Sequence, residues 1–127
     1  MSGYRVRTVA AAAQPSFNGK VTTVTSDGHF QEILAGTAPV LVMEHAPWCS
    51  HCKTAAPAFH EAAQHPGLSD VHLVLNDVTQ FAGIQAPGVP SGVPHYVLQH
   101  NGRRTPLNPD RTPEGLAQAV NSVRASS

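Results

Sequence analysis

Cys49 and Cys52 are the residues of this sequence whose type and spacing most directly suggest chemistry. A turn-forming segment, Ala46-Pro47-Trp48, precedes them, and apolar residues at helical spacing follow them. The pattern predicts a helix that begins near Cys49, where unpaired backbone N–H groups and the helix dipole favour an anion. Such a position lowers a thiol pKa, and the thiolate is the nucleophilic form. We therefore predict that Cys49 attacks a partner sulfur and that Cys52, one turn deeper, resolves the resulting mixed disulfide.

His51 lies between the two cysteines and adds a second electrostatic influence when its ring is protonated. A stabilised thiolate means a stabilised reduced form, and therefore a more oxidising disulfide. Two other interpretations of the cysteine pair remain open, namely half of a zinc site and an inert pair. Structural zinc sites usually take four ligands as two pairs, and there is no second pair of cysteines. Redox chemistry is the favoured interpretation, with no metal and no cofactor beyond the Cys49–Cys52 disulfide.

The surrounding pattern predicts the elements that would position this pair. Strands are predicted at 21–24, 40–45, 71–75, 96–98 and 103–107, and helices after Ser26, near Cys49 and after Thr112. The continuous apolar start of 40–45 is typical of a strand buried on both faces. Asn101-Gly102 is a strong hairpin signal. Alternating strands and helices followed by a hairpin predict an α/β fold, with a mixed central sheet flanked by helices.

The segment from Ala46 to Lys53, APWCSHCK, resembles the active-site segment of the thioredoxin superfamily, and most of all that of protein disulfide isomerase domains. Ser50 stands where those domains have glycine. The resemblance runs from about Val21 to Ala125 and implies a thioredoxin-like three-layer sandwich. Pro57 matches the family's helix proline. Val93-Pro94 matches its cis-proline step; Val89-Pro90 competes for that role, but Pro94 runs directly into a predicted strand.

By this resemblance, Trp48, Val93 and Pro94 would form the substrate groove beside the thiols. Two positions depart from the family pattern: Met43 stands where a buried acid is usual, and the paired lysine is expected near Leu73, another apolar residue. Strand alternation places Glu44 on the opposite face and His45 on the face of Met43. We therefore predict that His45 supplies part of the missing acid–base function.

Composition excludes several functional classes. The chain has 127 residues, eight Lys+Arg against eight Asp+Glu, and eight histidines. A nucleic-acid binder would show a basic excess, and a membrane-spanning segment needs about 20 apolar residues in a row. We predict an N-terminal arm or extra strand at 1–20 and a thioredoxin-like domain at 21–127. The apolar stretch at 8–13 is too short for a secretory signal, which predicts a cytoplasmic rather than exported location.

The function predicted from these features is a thiol–disulfide oxidoreductase that exchanges disulfides with protein substrates. Its partners would be protein thiols and disulfides and a thiol reductase or oxidant. The direction stays open, because His51 favours an oxidase or isomerase whereas the N-terminus favours a cytosolic reductase. An alternative is a binding or structural subunit of a larger assembly, with an assembly partner and secondary redox activity. A peroxidase or glutathione-dependent enzyme on the same fold is a weaker alternative.

Overall fold

Strand β2 (Val40–His45) is the centre of the fold in the computed structural model, which describes residues 19–126. Its first five residues are buried, as expected of a strand that is covered on both faces. Strand β3 (His72–Asp77) runs parallel to β2 on one side. Strand β4 (His95–His100) runs antiparallel on the other side. The carboxyl end of β2 therefore leads into the cysteine segment from the middle of the sheet.

Two shorter strands complete the sheet within the described residues. Strand β1 (Thr22–Thr23) pairs in parallel with β3, and β5 (Arg103–Leu107) pairs antiparallel with β4. The order β1-β3-β2-β4-β5 makes this part of the chain a mixed five-stranded sheet. Asn101 and Gly102 both have positive φ, 53° and 76°, which is the conformation that a type I′ turn requires. The predicted hairpin is confirmed.

Helices cover both faces of the sheet. Helix α1 (Asp27–Ala35) begins at Ser26, whose hydroxyl accepts the His29 N–H at 2.9 Å, and Phe30 packs it against one face. Helices α2 (Ser50–Ala62) and α3 (Pro113–Ala125) pack on the other face through residues such as Phe59 and Leu116. The mixed sheet between helix layers confirms the predicted three-layer α/β sandwich.

The predicted arm or extra strand at 1–20 falls mostly on residues 1–18, which lie outside the described residues. Gly19 lies beside the segment that follows α2, because the Gln64 side-chain amide donates to the Gly19 carbonyl oxygen at 2.6 Å. Within residues 19–126, no helix combines the length and apolar character that crossing a membrane requires.

Candidate active site

The two cysteines lie where β2 passes into α2. After β2, the chain turns at 46–49, and the turn closes with a hydrogen bond from the Cys49 N–H to the Ala46 carbonyl oxygen at 3.1 Å. Cys49 is the N-cap of α2, and its sulfur accepts the Cys52 N–H at 3.1 Å. The two sulfurs form a disulfide across a Cα–Cα distance of 5.2 Å. A thiolate at Cys49 would therefore meet a backbone donor that is already oriented towards it.

The Val93-Pro94 step and an exposed tryptophan lie near this disulfide. The Val93-Pro94 peptide bond is cis, and the Val93 carbonyl oxygen lies 3.6 Å from the Cys49 sulfur. Trp48, immediately before Cys49, is 73% exposed although it is a large apolar residue. Cys49 itself is 6% exposed. The structure thus brings the Val93 carbonyl oxygen close to the Cys49 sulfur and leaves Trp48, the residue before Cys49, exposed.

The two candidate histidines occupy different environments. His51 is exposed in the first turn of α2 and follows Cys49 by two residues. His45 is half-buried and lines a cavity of about 310 Å³, together with Cys52 and Met43. The structure therefore brings His45 to the same cavity as the deeper cysteine, as strand alternation predicted.

The structure also shows which apolar residues surround Met43, the position where the family pattern has a buried acid. Met43 is fully buried, and its neighbour in register on β3 is Leu75, which lines the same cavity. Leu73 points to the same face but pairs with Leu41, further from the cysteines. The residue opposite Met43 is therefore Leu75, and Leu73, near which the family's lysine was predicted, lies two residues earlier on β3.

Asp77 marks the end of β3 beside His45, its partner in register. The hydroxyl of Thr79 donates to Asp77 at 2.6 Å and is the main reason that the pKa of Asp77 lies below its usual range. The charge of His45 lowers it further. A carboxylate whose pKa is lowered thus lies on the strand next to His45.

Sequence reasoning missed the role of a buried acid on the other face of the sheet. Glu44 does point away from Met43, but it is completely buried, and its carboxylate accepts the Ile84 N–H at 2.6 Å. It also accepts the side-chain amide of Asn76 at 2.7 Å. The available signal was an acidic residue inside an otherwise apolar run, which requires a buried polar partner.

A zinc site at the cysteine pair would need further ligands close to it. Among residues 19–126, no three or more His, Cys, Asp or Glu side chains lie together in an arrangement that could hold a metal ion.

Comparison with known proteins agrees with this geometry. The family model described as Thioredoxin matches residues 20–122. Protein disulfide-isomerase 1 of Caenorhabditis elegans is 32% identical over 125 residues, covering 96% of this chain and 24% of that protein. The probable protein disulfide-isomerase A4 of the same organism is 34% identical over 99 residues, covering 76% of this chain and 16% of that protein. The chain thus spans about a quarter or less of these relatives.

Solved structures show the same fold. The first thioredoxin domain of mouse protein disulfide-isomerase A4 superimposes with a TM-score of 0.67 at 27% identity, covering 84% of this chain and 76% of that one. Human ERp44 gives a TM-score of 0.66 at 24% identity, covering 81% of this chain and 32% of that one.

These relatives overturn the predicted cytoplasmic location. Protein disulfide-isomerases are typically resident in the endoplasmic reticulum, so the prediction is wrong. It rested on the weak apolar character of 8–13, but the matching segment is a small part of each long relative. The N-terminal composition of such a segment therefore does not report the compartment.

The matched family, the sandwich fold and the cysteine pair at the start of α2 agree with one another. The chain belongs to the thioredoxin family, and its Cys49–Cys52 pair is of the thiol–disulfide oxidoreductase type.

Proposed function

We propose that this domain exchanges disulfides with protein substrates through Cys49. In the oxidising direction, a substrate thiolate attacks the Cys49 sulfur and breaks the Cys49–Cys52 bond. The electron pair of that bond leaves on Cys52, which takes up a proton. The observation that carries the proposal is the N-cap position of the Cys49 sulfur, which accepts the Cys52 N–H at 3.1 Å. That donor stabilises the Cys49 thiolate, which is the leaving group in the second step.

In the second step, another thiolate of the substrate attacks the substrate sulfur of the mixed disulfide and releases Cys49 as a thiolate. The substrate has then lost two electrons and formed a disulfide, and the domain has become a dithiol. In the opposite direction, the Cys49 thiolate attacks a substrate disulfide, and Cys52 attacks Cys49 to release the reduced substrate. Cys49 is the N-cap next to exposed Trp48, whereas Cys52 lies inside the first turn of α2, so Cys49 is the sulfur presented to a protein thiol.

We propose that the exposed face of Trp48 and the Val93-Pro94 step hold the substrate chain during exchange. The Val93 carbonyl oxygen lies beside the Cys49 sulfur and can accept an N–H from an extended peptide. Trp48 offers an apolar surface next to the same sulfur. Backbone recognition of this kind accepts many sequences, which suits protein thiols and disulfides as a substrate class.

The electrostatic setting supports an oxidising or isomerising role. The Cys52 N–H, the N-terminus of α2 and protonated His51 all stabilise the Cys49 thiolate, so all three favour the reduced form of the domain. Met43 and Leu75 carry no ionisable group, and the ionisable side chains that line the cavity beside Cys52 are those of His45 and Lys53. We propose that His45, which lines the same cavity, takes and returns the Cys52 proton.

A redox titration of Cys49–Cys52 against glutathione tests the proposed direction. We expect a potential near about −180 mV, the value for protein disulfide isomerase, and a value near about −270 mV, as for thioredoxin, would contradict it. The Cys52→Ser variant should accumulate mixed disulfides with protein substrates, because the resolving thiol is gone. The Cys49→Ser variant is the matched control and should trap none. The absence of any detectable exchange by the unaltered protein would refute the proposed function.

A further inference from the structure

Three polar side chains form a row across the middle of the sheet, on the face opposite the cysteines. Asn76 of β3 and His95 of β4 are the partners in register of Glu44 on β2. All three are buried, next to an apolar cluster that includes Val42 and Val97. We call Asn76, Glu44 and His95 the polar row.

The polar row holds the loop 78–94, which joins β3 to β4. The Glu44 carboxylate accepts the Ile84 N–H at 2.6 Å, and Asn76 donates to the Phe81 carbonyl oxygen at 3.2 Å. At the other end of the loop, His95 Nδ1 lies 2.7 Å from the Gly92 carbonyl oxygen and donates to it. The loop is therefore fixed both near its start and immediately before Val93.

The fit between Glu44 and the loop is close. A Cβ added to Gly83 would lie 2.8 Å from Glu44 Oε2, so a side chain at that position would push the loop away. A buried carboxylate is costly unless donors surround it, and apolar residues occupy the other buried positions of β2. Its two donors, the Ile84 N–H and the Asn76 amide, offset that cost and leave the loop with one preferred position.

We propose that Glu44, supported by Asn76 and His95, is a positioning residue. It sets the position of the Val93 carbonyl oxygen relative to the Cys49 sulfur, and thereby the affinity of the domain for peptide disulfides. This inference rests on the proposed function, in which Val93 binds the substrate backbone. If only a fraction of molecules hold the loop in place, the apparent affinity falls by that fraction, while chemistry at Cys49 is unaffected. A loss of this anchor should therefore raise KM and leave kcat unchanged.

The test compares Glu44→Met, which removes both acceptors, with Glu44→Gln, which keeps one for the Ile84 N–H. We expect Glu44→Met to raise KM for a peptide disulfide about tenfold, because a buried backbone donor is left unpaired. Both kcat and the rate at which iodoacetamide alkylates reduced Cys49 should stay within about twofold of the unaltered protein. Glu44→Gln should lie close to the unaltered protein, and Glu32→Met, at an exposed site on α1, should match it.

Gly83→Ala displaces the loop without altering the sheet, so it decides the question if Glu44→Met does not fold. The inference is overturned if Gly83→Ala leaves KM unchanged, or if Glu44→Gln is as impaired as Glu44→Met. Amide hydrogen exchange at Ile84 provides a readout that does not depend on activity. If the unaltered protein exchanges no disulfides, the proposed function fails. The anchoring of the loop by Glu44 is still tested by amide hydrogen exchange, and slower or unchanged hydrogen exchange at Ile84 in Glu44→Met would refute it.

Discussion

At the scale of single residues, the chemistry depends on how much negative charge the Cys49 sulfur can carry. The Cys52 N–H acts at every pH, whereas His51 contributes charge only when its ring is protonated. The two influences can therefore be separated by pH. They also explain why a segment with so few charged residues can still tune a thiol, because the backbone supplies the fixed part.

Replacing His51 with asparagine should make the Cys49–Cys52 pair less oxidising. The thiolate loses a cationic neighbour, so the pKa of Cys49 rises and the reduction potential becomes more negative. We expect a shift of about 10 to 30 mV that is larger at pH 6 than at pH 8, measured by glutathione titration. His60→Asn, at an exposed position late in the same helix, is the control and should not shift the potential. An equal shift at both pH values would contradict a role for the imidazolium.

Replacing His45 with phenylalanine should slow the reactions of Cys52. The ring of His45 lines the cavity beside that sulfur, where Met43 and Leu75 provide no proton acceptor. In a Cys49→Ser background, we expect alkylation of Cys52 at about pH 7 to fall at least tenfold, because a positioned base is lost. Met43→Leu alters the same cavity without removing a base, and it should react like its parent. Unchanged Cys52 reactivity across about pH 5–9 in His45→Phe would refute the role.

At the scale of elements, the two helices with glycine in their first turn respond differently to the same substitution. In α3, a Cβ on Gly115 would lie 2.5 Å from the Asp110 carbonyl oxygen and 3.0 Å from the Thr112 hydroxyl. We therefore expect Gly115→Ala to lower the free energy of unfolding by about 1 to 3 kcal/mol, although alanine has the higher helix propensity. Urea unfolding would measure the change.

Gly28→Ala in α1 is the matched substitution. Its Cβ would meet only the Ser26 hydroxyl, at 3.9 Å, so space is available. We expect the free energy of unfolding to stay unchanged or to rise by up to about 1 kcal/mol. An equal rise in the free energy of unfolding for both variants would contradict the close approach of residues 110–112 to Gly115.

The elements also show where sequence reasoning was sufficient. The hairpin at Asn101-Gly102 and the caps Ser26 and Thr112 could be predicted because their signals are local. The pairing of Met43 with Leu75 could not, because register depends on partners that are distant in sequence. The strand predicted at 21–24 is shorter in the structure, Thr22–Thr23, although the Val24 N–H still donates to the Leu75 carbonyl oxygen at 3.1 Å.

At the scale of the whole molecule, the sheet separates two tasks. One face and its end carry the thiols, and the other face carries the contacts that hold the loop 78–94. The face of the sheet on which a strand residue lies could be predicted from alternation, which placed Glu44 and His45 on opposite faces. The partners of Glu44 could not, because Ile84 lies in a loop with no periodicity. The proposed substrate contact at Val93 thus depends on hydrogen bonds across the sheet as well as on the cysteine segment.

Histidine also couples the fold as a whole to pH through the contact between β1 and β3. His72 Nε2 and the Thr22 hydroxyl are 2.7 Å apart, and burial, followed by the charge of His29, lowers the pKa of His72. A histidine whose pKa is depressed on folding binds a proton more readily in the unfolded chain. It therefore lowers the free energy of unfolding as the pH falls through the unfolded pKa of about 6.5.

We expect the loss of unfolding free energy between about pH 7.5 and 5.5 to be smaller in His72→Gln than in the unaltered protein, and the glutamine amide can still bond Thr22. Urea unfolding across that range would measure it, with the exposed His60→Gln as control; equal pH dependence in both variants would exclude His72 as a source.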